Sequence, residues 1–303
     1  MLFGDNIYIG GTAVDKIYLG DTEVWSAIPA DVKAHIARVL ADGGTVPEQV
    51  KMVSMVKQLM AANLWNNCVF FGLPLGGVKK DGNQFVSKVY DLKNNADLVQ
   101  ATGTRQPTYY NDGSLLFDGG DCMLSATLGV ANPIRTITTN MSVSLWIDIK
   151  SATYDQAIFD RWGTGSSANS NWLIYIQASG LLRVYITGIS TAAKIFATTV
   201  SMVNRGLTHF TFTYNGNAMD GSVNGMLKLY INGVEHSPTK VTSLNSTTLY
   251  SNDKQLQISG FNASTVNNLI KNSGYVVLPM VFNSTLTDAQ VLWNYNNIRP
   301  EGV

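Results

Sequence analysis

Charge is scarce in this sequence. Only 14% of its 303 residues are Asp, Glu, Lys or Arg, and 21 basic residues balance 21 acidic ones. About a quarter is usual for a soluble domain. With no basic surplus, the chain lacks the footprint of a protein that holds nucleic acid by counterion release. Cysteine is almost absent. Cys68 and Cys122 lie far apart and form no CxxC pair, so a structural zinc site or a disulfide framework is not expected. Two reduced, buried thiols are. No run of eighteen apolar residues occurs, so no membrane span or membrane insertion is predicted. Met1 to Asp5 shows neither the basic nor the apolar region of a signal peptide. A protein of this make that works outside a cell is expected to leave by lysis or by a dedicated machine.

What the chain has instead is Gly, Ser, Thr and Asn, a hydroxyl- and amide-rich composition suited to all-β proteins and extracellular or virion fibres. Three zones follow: an N-terminal β-hairpin anchor over 1–27, a helical hairpin over 28–75, and a β-sandwich over 76–303. The first holds an internal repeat. Ile7-Tyr8-Ile9-Gly10-Gly11-Thr12-Ala13-Val14 returns ten residues later as Ile17-Tyr18-Leu19-Gly20-Asp21-Thr22-Glu23-Val24, ending at Trp25. Each copy has a β-rich run, a turn signal and a Thr-x-Val return, the spacing of successive tight hairpins. So small a sheet is marginal alone. It either decorates the neighbouring domain or anchors the chain in a larger assembly, with Tyr8, Tyr18 and Trp25 as the anchoring residues.

In the second zone Ile28, Val32, Ile36, Val39 and Leu40 share one helical face, and Gly43-Gly44 is placed to end that helix. Thr45, Pro47 and Glu48 predict the start of a second helix, with Thr45 as N-cap. Val50, Val53, Val56, Met60 and Leu64 form its stripe, and the zone runs to about Leu73. The Met52, Met55 and Met60 series is expected to fill core. His35 has no second ligand one turn on, so no metal site is expected there.

The third zone alternates short strands with turns. In Met141 to Ile149, Val143, Leu145, Ile147 and Ile149 fall on one face with period two. Similar runs lie at 157–162, 172–177, 181–187, 195–200, 209–214, 226–234, 256–259 and 275–282, punctuated by Gly163, Gly180, Asn215-Gly216 and Asn232-Gly233. Strands at roughly ten-residue spacing argue for a sandwich or barrel. Only Thr287 to Asn294 looks helical, with Thr287 as its cap. Pro279 inside the last strand predicts an edge position or a bulge.

Three segments of this zone resemble the laminin-G-like, concanavalin A-like jelly roll. Ser114-Leu115-Leu116-Phe117-Asp118-Gly119-Gly120-Asp121 is similar to the strand that opens that sandwich. Asn224 to Glu235, with Tyr230-Ile231-Asn232-Gly233, is similar to its Y-x-N-G hairpin. Val281-Phe282-Asn283-Ser284-Thr285-Leu286-Thr287-Asp288-Ala289-Gln290 is similar to its closing strand and short helix. The helical zone (Ala30-Asp31-Val32 through Thr45-Val46, then Leu64-Trp65) and the Lys16 to Trp25 segment resemble modules of tailed-bacteriophage appendage proteins. The resemblance implies a mainly β antiparallel jelly-roll sandwich in a virion fibre, assembled in the host cytoplasm and released by lysis. It also implies other virion proteins as partners, and a homotrimer.

An enzyme is not expected. Retaining glycosidases need two carboxylates about 5–5.5 Å apart, which acidic residues two positions apart on one strand face supply. The glutamates are Glu23, Glu48, Glu235 and Glu301, and none has an acidic neighbour at i+2 or i+4. Asp155 and Asp160 are five apart and would face opposite sides. The histidines are His35, His209 and His236, and no Gly-x-Ser-x-Gly elbow exists. His209 and His236 sit at a strand start and after a turn, where solvated or half-buried imidazoles are expected. Asp118 and Asp121 fall short of the six to eight oxygens that calcium takes, so no metal or other cofactor is predicted. Sugars offer apolar faces edged by hydroxyls, which aromatic rings and amides match. The polar stretch from Arg161 to Trp172, with Trp162, Asn169 and Asn171, is the first candidate glycan site. Tyr214 and Asn215 form the second. Two functions stand at this point: a non-enzymatic appendage lectin that binds host-surface polysaccharide, or a structural decoration of the capsid or tail with no glycan ligand.

Overall fold

The repeat before residue 27 folds as two successive antiparallel hairpins, Ile7–Ile9 with Thr12–Val14 and Lys16–Leu19 with Thr22–Ser26. Their registers are Tyr8 opposite Ala13 and Tyr18 opposite Glu23, with a bulge between Ile17 and Tyr18. This is the arrangement that the ten-residue period predicts. The computed structural model describes residues 7–9, 12–14, 16–19, 22–26, 28–82, 84–93, 95–110, 113–117, 124–152, 155–161, 171–187, 194–216, 227–236, 239–240, 249, 255–259 and 274–300.

Helix α1 (Ala30–Ala41) starts after Pro29, carries Asp31 in its first turn and Arg38 in its last, both favourable to the helix dipole. It ends as predicted: Gly43 has φ +75° and the Gly44 N–H donates to the Val39 carbonyl at 2.9 Å. Its buried face is the expected one in Val32 and Val39, with Ile28 and Ile36 packed beside the core; it adds His35 and leaves out Leu40, which is 58% exposed. Helix α2 (Gln49–Ala61) begins three residues later than Thr45 as N-cap predicts, and no side chain caps it. Thr45 instead exchanges backbone hydrogen bonds with Val78 (2.7 and 2.9 Å), so its N–H serves the sheet. The α2 stripe is Met52, Met55, Val56 and Leu59, and Val50 is 60% exposed. The stretch expected to stay helical to Leu73 leaves the helix at Asn63, whose φ of 57° is the left-handed turn of a helix end. Cys68–Phe71 is already a strand, paired with Gly274–Phe282.

The sandwich is one long run of antiparallel pairings folded into two sheets. The first orders Val234–His236, Leu227–Ile231, Thr208–Asn215, Asn140–Asp148 and Gly274–Phe282. Leu115–Phe117 and Cys68–Phe71 share the far side of Gly274–Phe282. Thr108–Tyr109 and Phe85–Val89 carry the ladder round the edge to Leu98–Val99. The second sheet continues with Leu124–Ala126, Leu256–Ile258, Gln156–Arg161, Trp172–Ile176, Leu181–Ile186, Lys194–Ser201 and Thr239–Lys240. The predicted Asn232-Gly233 turn holds, with φ of 52° and 78°, the double left-handed pair of a type I′ hairpin, whereas Gly163 lies outside the described residues. Pro279 sits in a bulge in a central strand, where Leu278 and Pro279 together oppose Leu145.

Val143, Leu145 and Ile147 point into the sandwich, against Phe159, Trp172, Ile174, Phe210 and Phe212. The other face of the same strand is buried too. Trp146, with Tyr230, Val277, Met280 and Phe282, lies under α1, α2 and helix α3 (Asp288–Asn297). Thr287 caps α3 in a full capping box with Gln290. Burying a ring as large as Trp146 contributes on the order of 4–6 kcal/mol by area.

One loop ties α1 to this sheet. Asp91 is fully buried, and its carboxylate accepts four backbone N–H groups: Phe71 (2.8 Å), Lys93 (3.1 Å), Asn95 (2.9 Å) and Ala96 (3.1 Å). Arg38 reaches across to the Asp91 carbonyl (2.8 Å) and to Asp97 (2.6 Å). Next to it, Gly44 packs so closely that an added Cβ would lie 2.7 Å from Tyr90 and 2.9 Å from Val39. Gly44→Ala is expected to cost about 1–3 kcal/mol in a denaturant melt through overpacking. At Gly43 nothing lies within 4 Å, so Gly43→Ala meets only its positive φ and should cost about 1 kcal/mol.

Candidate functional site

The described residues that bracket three polar stretches gather at one end of the sandwich. In the second sheet, Arg161 pairs with Trp172 and Trp172 with Ile186, so the chain around 162–170 and 188–193 leaves from one rim. In the first sheet, Asn140 pairs with Asn215 at the edge of 217–226. Residues 132–139 connect the two rims. Arg161 Nη1 and Nη2 donate to the carbonyls of Ile134 (3.0 Å) and Arg135 (3.4 Å), while Gly216 N donates to the Thr139 carbonyl (2.8 Å) and Leu249 N to that of Thr138 (2.6 Å). The opposite end is closed by Asn204 N on the Ile149 carbonyl and Met202 N on that of Gly180.

Both predicted glycan sites fall at the first of these ends. Trp162 and Asn169 lie outside the described residues. Asn171 is 1% exposed and its backbone joins the sheet, donating to Arg161 O (3.1 Å) and accepting from Thr187 N (2.9 Å). Tyr214 is a core residue, 1% exposed, with burial raising its phenol to about 12. Its ring presents no face to solvent, because Tyr214 stands on the inward row with Phe210 and Phe212. Asn215 is half-buried at the rim. Arg161 is the residue that sequence reasoning passed over: wholly buried, it ties the rim together through two carbonyls. A polar run opened by Arg was the available signal.

Asp118, Asp121 and Cys122 lie outside the described residues. Cys68 is buried and free, its thiol raised to about 12 by burial. Among the described residues no group of three or more His, Cys, Asp or Glu could hold a metal ion. Among the described residues no helix is long and apolar enough to cross a membrane. Tyr8, Tyr18 and Trp25 all lie on hairpin strands, Trp25 opposite Ile17.

A serine–histidine pair does exist, and it is not at this end. Ser144 Oγ and His209 Nε2 are 2.8 Å apart; Thr211 Oγ1 (3.1 Å) and Asn294 Nδ2 (3.2 Å) also reach Ser144 Oγ. All four residues are fully buried where Asn294 of α3 meets the sheet, beside Trp146 and Tyr295. Against expectation, His209 is not half-solvated. Burial lowers it to about 3, so it is neutral at pH 7. A base and nucleophile sealed from solvent cannot meet a substrate; the cluster pins α3 to the sheet. His236 is half-buried, as expected.

Residues 124–292, more than half of the chain, match the profile of the concanavalin A-like lectin/glucanases superfamily. The chain belongs to that superfamily. The match covers the Leu227–Ile231 hairpin and the capped start of α3, two of the three segments that carry the laminin-G-like resemblance; the third, 114–121, precedes it. The chain is also similar in fold to solved structures. One is of botulinum neurotoxin type C, described in terms of cell entry through two ganglioside molecules (TM-score 0.55, 15% identity, 79% of this chain and 53% of that one). Two others are binding domains of botulinum neurotoxin DC. One is in complex with SialylT (TM-score 0.54, 15% identity, 77% and 52%) and one with rat synaptotagmin II (TM-score 0.53, 15% identity, 77% and 52%). At such identities the likeness is one of fold, and this superfamily member spans about half the length of those structures. No curated protein matches the chain.

Proposed function

We propose that the chain is a non-enzymatic, lectin-like appendage protein of a virion that holds host-surface glycans at the end of the sandwich where the buried Arg161 and Asn171 and the half-buried Asn215 flank three polar segments. The observation that carries this is the convergence of the flanks of 162–170, 188–193 and 217–226 on one end of the sandwich. Segments rich in Ser, Thr, Asn and Gly, opened by Trp162, supply the stacking ring and the amides that a sugar needs. The superfamily includes carbohydrate-binding proteins, which supports the same class of ligand. Non-enzymatic action is supported by the sealed Ser144–His209 pair. For the virion setting, support comes from the duplicated hairpins, which need a partner surface, and from the appendage resemblance of residues 16–65. Tyr8, Tyr18 and Trp25 are the residues assigned to anchoring.

A glycan array probed with the full chain tests this. Retention of one class of surface polysaccharide is expected, with roughly tenfold weaker binding by Trp162→Ala at unchanged thermal stability, the size of a lost stacking contact. Failure to retain any glycan, together with tight association with capsid or tail proteins, would replace the lectin reading with structural decoration.

A further inference from the structure

At the end of the sandwich away from the rim, a row of outward side chains crosses four strands. Asp81, which ends the strand Val78–Asp81, pairs with Phe85, Phe85 with Thr108, and Thr108 with Leu116. Leu116 in turn pairs with Tyr275 and Tyr275 with Asp148, at the far end of its strand from Asn140. The alternate residues Val86, Tyr109 and Leu115 belong to the core, so Phe85, Thr108 and Leu116 face out. Tyr110 joins them two residues on from Thr108. Phe85 is 52% exposed and Tyr110 41%. We propose that this face binds a neutral glycan, with sugar rings stacked on Phe85 and Tyr110 and hydroxyls held by Asp81 and Thr108.

The backbone holds these groups in register before any ligand arrives. Val86 N donates to the Pro107 carbonyl (2.9 Å) and Tyr109 N to that of Gln84 (2.8 Å), one bond on each side of Phe85. Phe85 and Thr108 are therefore a non-hydrogen-bonded pair, the closer kind. Tyr110 is the diagonal neighbour of Phe85, at about 7–8 Å, still within reach of an aromatic side chain. The Tyr110 N–H donates to the Ser114 carbonyl (3.0 Å), and its own carbonyl accepts the Gly113 N–H (2.8 Å), which fixes the turn that follows. Asp81 is held by a buried partner. Gln106, 2% exposed, donates from Nε2 to Asp81 Oδ2 at 2.6 Å and to the Gln100 carbonyl at 3.1 Å. Asp81 itself is exposed, and its Oδ1 accepts no hydrogen bond from the described residues.

Area separates a sugar from a protein partner here. Half of the roughly 150–250 Å² that an aromatic side chain carries, taken from two rings, gives on the order of 200 Å² of apolar surface. A stable protein interface takes about 800 Å² from each partner. Thr108 and Leu116 are half-buried and add little. A patch of this size, bordered by a carboxylate and a hydroxyl, fits one or two sugar rings. Their C–H faces cover the aromatic rings and their hydroxyls donate to Asp81. A wholly apolar ligand would bring no donor to that carboxylate. Charge favours a neutral glycan over an acidic one. Asp81 is the one ionised member of the row, and Lys80 beside it in sequence, 5.0 Å from the Tyr109 ring centre, balances it. The row holds no surplus cation for a sugar acid.

The test is saturation-transfer NMR and calorimetry of the full chain with maltose, cellobiose, lactose and mannobiose, with glucuronate as the charged control. At least one disaccharide is expected to bind saturably, more tightly than glucuronate and with little dependence on salt. Phe85→Ala, which truncates a half-exposed ring, is expected to weaken that binding roughly tenfold at unchanged thermal stability. Phe85→Tyr is expected to keep it, and Asp81→Ala to weaken it about fivefold. No saturable binding of any of the four disaccharides, or wild-type binding by Phe85→Ala, would overturn the proposal. Loss of association with capsid or tail proteins in Phe85→Ala, without disaccharide binding by the wild type, would make this face a protein contact instead. The rim is a separate claim. Trp162→Ala should keep the disaccharide and Phe85→Ala the array glycan, so either site can fail while the other stands.

Discussion

Between pH 6.5 and about 3 the protein is expected to lose several kcal/mol of folding stability through one side chain, His209. Burial holds its imidazole at about 3 against an ordinary 6.5. Across that window the unfolded chain takes up the proton and the folded chain does not. Stability therefore falls as the pH drops from 6.5, and is independent of this group above it. Each unit of separation is worth about 1.4 kcal/mol, which sets a ceiling of roughly 5 kcal/mol. The local hydrogen bonds explain why the ring resists protonation. Ser144 Oγ receives Thr211 and Asn294, so its single proton goes to His209 Nε2, which must then be an acceptor. Protonation would place two donors face to face in a dry site. Urea unfolding of the wild type and of His209→Gln at pH 7, 5 and 4 isolates the effect, because exposed carboxylates such as Asp288 titrate alike in both. The wild-type slope should exceed that of the variant. Parallel slopes would show that His209 is reached by solvent.

Removing the Asp91 carboxylate is expected to be as damaging at pH 7. Asp91→Ala leaves the N–H groups of Phe71, Lys93, Asn95 and Ala96 without their acceptor. Stranding buried donors that served a charged group costs about 3–5 kcal/mol in all, or roughly 10 °C in melting temperature. Burial pushes this carboxyl up from the ordinary range, while the four N–H groups pull it back. Asp91→Asn should rescue little. One oxygen receives Phe71 and Lys93 and the other Asn95 and Ala96, so an amide can serve one pair only and turns its NH2 against the other. Calorimetric melts of the two variants check this. A near-native Asp91→Asn would mean that fewer than four of these bonds carry the loop.

Much of the fold was legible because strands declare themselves locally. Period-two rows such as Val143, Leu145 and Ile147, the left-handed Asn232-Gly233 pair and the Thr287 cap are each decided within a few residues. What was not legible depends on partners far away in sequence. The outer row of the Asn140–Asp148 strand reads as solvent-facing because it holds Ser142 and Ser144. It is buried because Ser142 Oγ donates to the Ser284 carbonyl and accepts the Leu286 N–H, 142 and 144 residues on. Thr45 has the chemistry of a helix cap, but the Val78 backbone claims its N–H. Leu40 and Val50 fit their helical stripes by spacing, yet both are exposed. The candidate rim was legible as composition, a polar run between Trp162 and Trp172. Tyr214 was misplaced because an aromatic at a strand end reads alike whether its row faces in or out.

The central claim is that this sandwich holds sugar and leaves it intact. The most direct measurement incubates the full chain with the glycan it retains, then recovers the ligand for mass spectrometry after an equilibrium titration. Saturable binding with the glycan recovered at its original mass is the predicted result. Shortened glycan fragments that appear in proportion to protein and time would contradict it.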